Sequence, residues 1–270
     1  MKLDEKSLWL FDVDNTLIHD VEHPTPFPGA VDCCRYLRDA GKEIGILTNV
    51  GRLSAQQVHA ALQKAGFHFS KESVFTAGAA TAAYVFNRNP DARCFVISEG
   101  GATEDFIAKG LNVVNNPPID FVAIGADRDL SFQRLNFAAK CVRDGAELLC
   151  VSGSREYPGV YLGKEDMYLG ERSITAAVED ATGVEATIVG KPMPEIVIET
   201  VMTMGYDCDD AVMIGDNPAS DIAGGNAAGL TTVLVKRNPD DIVAYNAGEL
   251  DTTPDMTVTS LEELQSLICG

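Results

Sequence analysis

Short apolar runs alternate with segments of helical periodicity along most of the chain, and this alternation predicts βαβ units around a parallel sheet. The first run, Leu8-Trp9-Leu10-Phe11, is continuous rather than alternating, as in a strand buried on both faces. A helix over 29–40 stops at Gly41, and a second buried strand over 44–47 ends at Thr48-Asn49. Ser54 and Gln57 form a capping box for a helix with Val58, Ala61, Leu62 and Ala65 on one face and Gly66 as its stop. A further βα step runs from Val74 into a helix over 77–86.

The polar stretch 87–91 marks a boundary, after which a second alternating series begins. Strands are predicted at 94–97, 121–124 and 148–151, with helices at 103–109, 132–144 and 173–182. The first rhythm then returns: a helix at 194–204, a strand at 211–214, a short helix before Gly229, a strand at 232–235 and an amphipathic helix at 261–268. The pattern predicts an α/β, doubly wound core built from residues 1–79 and 188–270, with a second α/β module inserted over 80–187.

Composition narrows the class. The chain has 270 residues, of which 46% are hydrophobic, which excludes global disorder. No apolar run reaches the length of a membrane span, and the start has no signal-peptide core, so a cytoplasmic protein is expected. A net charge of −19 argues against a nucleic-acid partner but not against a small phosphorylated metabolite met by local cations. The seven cysteines show no metal-ligand spacing and read as buried reduced thiols. His19 and His23 stand alone in a polar loop and read as solvated.

Candidate chemistry sits where strands end. Asp12 and Asp14 follow the first strand, at the carboxyl edge where open α/β sheets bind ligands. Two carboxylates so close repel, so the site holds a cation or keeps one acid protonated. Taken alone, the pair also fits a strand leaving the core through an acidic loop. Three further clusters join it: Thr48-Asn49 at the next strand end, Gly190-Lys191-Pro192 opening a helix with Pro192 in its first turn, and Gly215-Asp216 through Asp221 after the strand 211–214. Together they supply a nucleophilic carboxylate, a second acid, a hydroxyl, a cation and metal-binding acids.

Asp12-Val13-Asp14-Asn15-Thr16, Thr48-Asn49, Lys191 and Gly215-Asp216 through Asp221 occur in the order of the four signatures of the haloacid dehalogenase superfamily, which the chain resembles over almost its whole length. The stretch between Asp12 and Thr48 is too short for a cap domain, and that between Thr48 and Lys191 has room for one. This placement resembles subfamily IIA, the NagD-like and 4-nitrophenylphosphatase-like enzymes, which include phosphoglycolate and pyridoxal phosphate phosphatases. Asn15 stands where Gly is commoner, Val50 where a small polar residue is usual, and Gly153-Ser154-Arg155 where the cap often has Asn-x-Asp.

The resemblance implies a phosphatase acting on small-molecule phosphate monoesters through an aspartyl-phosphate on Asp12, with Asp14 as general acid and base. It gives Thr48 and Lys191 the transferring phosphoryl group, with Asn49 as a further substrate contact, and Asp12, Asp14, Asp216 and Asp221 a Mg²⁺ ion. Oxygen ligands alone favour that ion. The loop 153–157, with the guanidinium of Arg155, is the candidate for substrate selection, and a homodimer through the cap is expected. Two other classes fit less: a phospho-acceptor regulator, and a catalytically weak phosphate-binding protein on the same fold.

Overall fold

The computed structural model describes residues 3–161, 163–236 and 251–269, and the chain divides into two compact units. The first comprises Met1–Thr48, Val58–Phe75 and Lys191–Gly270; the second comprises Asn49–Gln57 and Thr76–Gly190. The sequence pattern set the limits of the insert at 80 and 187. The polar stretch 87–91 is the end of a helix and the turn after it, and lies within the second unit.

The first unit is organised by strand β1 (Leu8–Phe11), whose four residues are all buried. It pairs in parallel with β2 (Glu43–Thr48) on one side, and with a later strand, Ala211–Gly215, on the other. Having a partner on each side and a helical layer on each face is what a continuous apolar run requires. Helix α1 (Ala30–Asp39) buries Cys33, Cys34 and Leu37 and follows Gly29, which takes a left-handed φ of 73°. Helix α2 (Ala55–Lys64) starts with the expected capping box: the Ser54 amide donates to Gln57 Oε1 at 2.9 Å, and the Gln57 amide to Ser54 Oγ at 3.4 Å. The chain then forms β3 (Val74–Thr76), the edge strand beside β2.

In the second unit α3 (Ala77–Arg88) leads into β4 (Arg93–Ile97), α4 (Gly101–Lys109), the two-residue β5 (Asn112–Val113) and β6 (Phe121–Ile124). Then come α5 (Phe132–Arg143), β7 (Glu147–Cys150), the antiparallel hairpin β8 (Glu156–Tyr161) with β9 (Lys164–Leu169), α6 (Glu171–Thr182) and β10 (Thr187–Ile188). The five-stranded sheet has the order β10-β7-β6-β4-β5, and all its pairs are parallel. Strand alternation sorts its core into two layers. Cys94 and Val96 of β4 face α3 and α4 with Phe106, whereas Phe95 and Ile97 face α5 and α6 with Cys141 and Val178.

The chain returns to the first unit through α7 (Pro194–Thr203), β11 (Ala211–Gly215), α8 (Ala223–Ala228), β12 (Thr231–Val235), β13 (Met256–Val258) and α9 (Leu261–Cys269). Its six-stranded sheet has the order β13-β12-β11-β1-β2-β3, a doubly wound arrangement with β1 and β11 central. Helix α7 packs with α8, and α1 with α9.

The structure departs from the sequence pattern at several points. Strands β5, β10 and β13 were not anticipated, because two or three residues carry too little periodicity to register. The β8–β9 hairpin was missed because Lys164, Glu165 and Asp166 interrupt its apolar residues, and it takes up Glu156 and Tyr157 from the expected loop. Pro194, not Pro192, occupies the first turn of α7, and Pro192 lies in the preceding turn after a cis Lys191–Pro192 bond. Five cysteines are buried, as expected, but Cys208 is half-buried and Cys269 exposed. All seven are unbridged.

Candidate active site

Register alone brings the first chemistry-bearing residues level. Phe11 is the partner of Ile214 on one side and of Ile46 on the other. One residue further, Asp12 is therefore level with Gly215 and Leu47, and Asp216 and Thr48 follow at the carboxyl ends of the two flanking strands. The Asp12 amide still donates to the Ile214 carbonyl at 2.9 Å, so the acid sits where strand bonding ends.

The chain then turns sharply. The Val13 carbonyl accepts from the amides of Thr16, Leu17 and Ile18, at 3.3, 2.9 and 3.2 Å. Asn15, inside this turn, has a φ of 57°, the left-handed region that Gly and Asn tolerate best. That is the physical reason Asn can stand in a glycine position. Asp14 is half-buried in the same turn, and Thr16 is fully buried with its hydroxyl donating to Asp216 Oδ1 at 3.5 Å.

A second turn faces the first. After β11 the chain makes one π-helical turn, Pro218–Ile222, ahead of α8. This turn sets Asp221, only 1% exposed, against the end of the strand. A Cβ at Gly215 would stand 2.1 Å from Asp221 Oδ2, so glycine is what allows this approach. The Asn217 amide donates to Asp221 Oδ2 at 3.1 Å, and the Ser220 hydroxyl to Oδ1 at 3.2 Å.

Lys191 joins the two turns. Its ammonium is 1% exposed and donates to Asp12 Oδ1 at 2.7 Å, to Asp221 Oδ1 at 2.6 Å and to the Leu47 carbonyl at 2.8 Å. Burial alone would lower its pKa, but the carboxylates of Asp12 and Asp221 more than offset this and hold it raised. The same burial pushes Asp12 up from 3.8 to about 6, against the pull of Lys191 and with the help of Asp221's charge. Asp216 is also held well above the ordinary carboxylate range, by burial first and then by the charges of Asp221 and Asp12.

Asp12, Asp216 and Asp221 each offer an oxygen, all within 4.8 Å of one another. One ammonium stands against three carboxylates, so fully ionised acids leave an excess of negative charge that a divalent cation would offset. The oxygen-only donor set suits a hard ion. Thr48 is 1% exposed at the end of β2. Asn49 and Arg155 belong to the second unit. Asn49 Oδ1 lies close to Gly190, 2.8 Å from where a Cβ there would stand. Arg155 is exposed just before β8, and its carbonyl accepts from the Gly170 amide at 2.7 Å. Sequence reasoning had given no part to Thr16, Asn217, Ser220 or the Leu47 carbonyl. The sequence signal for the second turn was the cluster Gly215-Asp216 through Asp221 after the strand, which gave no role to Asn217 or Ser220 within it.

Acids gathered around a buried lysine at the carboxyl ends of a parallel sheet make this the candidate active site of an α/β fold. The sequence model of the haloacid dehalogenase-like hydrolases matches residues 9–112, and a HAD-hydrolase-like model matches 188–264. The chain is 29% identical over 227 residues to a 5'-nucleotidase of Bacillus subtilis, covering 84% of this chain and 86% of that protein. It is likewise 29% identical over 229 residues to an acid sugar phosphatase of Staphylococcus aureus, covering 84% and 85%. The crystal structure of a 4-nitrophenylphosphatase from Thermotoga maritima superposes with a TM-score of 0.87 at 27% identity, covering 98% of each chain. The protein belongs to the haloacid dehalogenase-like hydrolases, in their NagD-like subfamily IIA.

The raised acids give a pH dependence with a definite sign. A carboxyl whose folded pKa lies above its unfolded value holds its proton longer in the native state, so stability falls as pH rises between the two values. In chelator, the wild type is expected to lose stability to urea from about pH 4 to 6, the interval through which Asp12 is shifted. Asp12→Asn should flatten that fall, and parallel profiles for the two proteins would show that Asp12 is not the group held protonated.

Proposed function

We propose that the protein is a Mg²⁺-dependent phosphatase that hydrolyses small-molecule phosphate monoesters through an aspartyl-phosphate on Asp12. The observation that carries this reading is the buried Lys191 ammonium bonded to both Asp12 and Asp221, at the carboxyl ends of β1 and β11. Phosphoryl transfer asks for an in-line nucleophile, cationic and hydroxyl donors on the equatorial oxygens, and a proton for the leaving group.

Asp12 is the nucleophile. Lys191 holds its Oδ1 and so fixes the orientation of the carboxylate. Attack on phosphorus forms the acyl phosphate and breaks the bond to the leaving oxygen, which takes a proton from Asp14. Asp14 then removes a proton from the water that cleaves the acyl phosphate, releasing inorganic phosphate and regenerating both acids. The Thr48 hydroxyl and the Lys191 ammonium bind the phosphoryl oxygens, with Asn49 as a further donor, and Lys191 offsets their growing charge. Asp12, Asp216 and the Asp14 carbonyl would hold Mg²⁺, with Asp221 either a further ligand or, as its bonds to Lys191 and Asn217 favour, a support. When bound, the cation supplies charge neutralisation at the phosphoryl group.

The residues just named act on the phosphoryl group common to all such substrates, so selection falls to the inserted unit. The relatives named above differ in substrate, a nucleotide in one and acid sugars in another. Arg155 is the proposed contact to a second anionic group. The hairpin β8–β9 exposes Val160, Met167 and Leu169, and this apolar face is the proposed contact of a homodimer. Among the described residues no helix is long and apolar enough to cross a membrane, which is consistent with cytoplasmic work. A regulator phosphorylated once on Asp12 remains the alternative reading.

Steady turnover of 4-nitrophenyl phosphate, reversibly abolished by EDTA and restored by Mg²⁺, separates enzyme from regulator. Asp12→Asn should reduce kcat by several orders of magnitude while the protein stays folded by circular dichroism. Near-wild-type turnover in that variant, or full activity in excess chelator, would sink the mechanism. Arg155→Ala should weaken kcat/KM for the best anionic metabolite by about 1.5–3 kcal/mol, the range for a hydrogen bond to a charged group, and barely alter 4-nitrophenyl phosphate hydrolysis. Equal losses on both substrates would assign Arg155 a structural role. Light scattering should show a dimer that Met167→Asp with Leu169→Asp converts to monomer, and a monomeric wild type would remove the hairpin contact.

A further inference from the structure

The chain crosses between the two units at four peptide bonds, 48–49, 57–58, 75–76 and 190–191. Two of these adjoin Thr48 and Lys191, to which the phosphoryl group is assigned above. On the second unit's side, the segments leaving these bonds are tied to one another, chiefly by α4. Its first two amides, of Gly101 and Ala102, donate to the carbonyls of Arg52 and Gly51 at 2.9 and 3.1 Å. Glu104 Oε2 accepts from the Ser54 hydroxyl at 2.9 Å.

Asp105 makes the deepest tie. It is 8% exposed, accepts from the Ala55 amide through Oδ1 at 3.0 Å, and accepts from the Thr76 hydroxyl through Oδ2 at 3.0 Å. Thr76 in turn caps α3 by accepting from the Ala79 amide at 3.1 Å. One carboxylate thus joins the segment after Thr48 to the last residue of β3. The third segment closes against both: a Cβ at Gly190 would stand 2.8 Å from Asn49 Oδ1, 3.0 Å from Ala77 Cβ and 2.7 Å from the Val151 carbonyl. A buried acid is a costly way to fill space, since burial disfavours its charge. A shared acceptor for an amide and a hydroxyl on separate segments is what the carboxylate provides and an apolar side chain could not.

We propose that Asp105 is a positioning residue for phosphoryl transfer: by fixing Ala55 and Thr76 it fixes the segment 49–57, whose first residue is bonded to Thr48, and hence the angle at which Thr48 meets the phosphoryl group. The inference rests on the phosphatase reading. Positioning acts on the reacting geometry, where a displacement of about 1 Å can cost on the order of 100-fold in rate. It therefore bears on kcat more than on KM, and does so at temperatures far below melting.

The test compares Asp105→Ala, Asp105→Asn and Gly190→Ala by kcat, KM and melting temperature with 4-nitrophenyl phosphate and Mg²⁺. Asp105→Ala should lower kcat at 25 °C by roughly 10-fold or more, with KM within about 3-fold. Asp105→Asn can accept from Ala55 and donate to Thr76 Oγ1, so it should recover most of that loss. Gly190→Ala, which disturbs the same junction from the other side, should also lower kcat. A folded Asp105→Ala with a lowered melting temperature but wild-type kcat would overturn the inference, as would a loss confined to KM. If Asp105→Ala does not fold, Thr76→Val removes one of the two ties, and unchanged kcat there overturns it equally. An inactive wild type would instead overturn the phosphatase reading on which the inference stands.

Discussion

A buried ammonium held between two carboxylates is the constraint around which the first unit is arranged. Lys191 is almost wholly removed from water, and stripping a charge of solvent costs several kcal/mol even after relaxation. Asp12, Asp221 and the Leu47 carbonyl compensate it with short bonds, and each comes from a different strand end or turn. Removing either acid would leave the lysine under-compensated, and removing the lysine would leave Asp12, Asp216 and Asp221 crowded and uncompensated. The arrangement therefore ties β1, β2, β11 and the entry to α7 into one electrostatic unit. It also leaves the acids in excess over the cation, with Asp12, Asp216 and Asp221 offering oxygens within 4.8 Å of one another.

Much of the fold could be read from the chain because its buried strands are continuous apolar runs and its helices end at glycine stops. The runs at Leu8, Ile44, Phe121 and Ala211 each became a strand of a parallel sheet. The stops at Gly41, Gly66, Gly145, Gly183 and Gly229 all have positive φ, so each marks a place where the helix could not continue. What escaped was structure held by neighbours rather than by local pattern. The two residues of β10 have no periodicity of their own, and they are strand only because β7 lies beside them. The hairpin β8–β9 carries its apolar residues among charges, so the alternation that would reveal it is broken.

The candidate site was legible in a different way. Asp12, Thr48 and Asp216 could be placed because strand register carries residues that end neighbouring strands to a common level. Lys191 could be named as a candidate cation of the site, but not that it is buried against Asp12, because no local pattern fixes a side chain to a residue so distant in sequence. Asp105 gave no signal at all. An acid within an amphipathic helix reads as solvated, and only the tertiary structure shows it turned inward to Ala55 and Thr76.

Asn15 and Gly215 show how these levels meet. Each stands in one of the two turns that carry the acids, and each is chosen for backbone or space rather than for chemistry. Asn15 accepts a left-handed φ that most side chains resist, which lets the chain reverse directly after Asp14. Gly215 leaves room for the Asp221 carboxylate where any side chain would overlap it. The site thus depends on two residues that need never touch a substrate. Their tolerance of tight geometry is what allows the acids to be packed closely around one lysine.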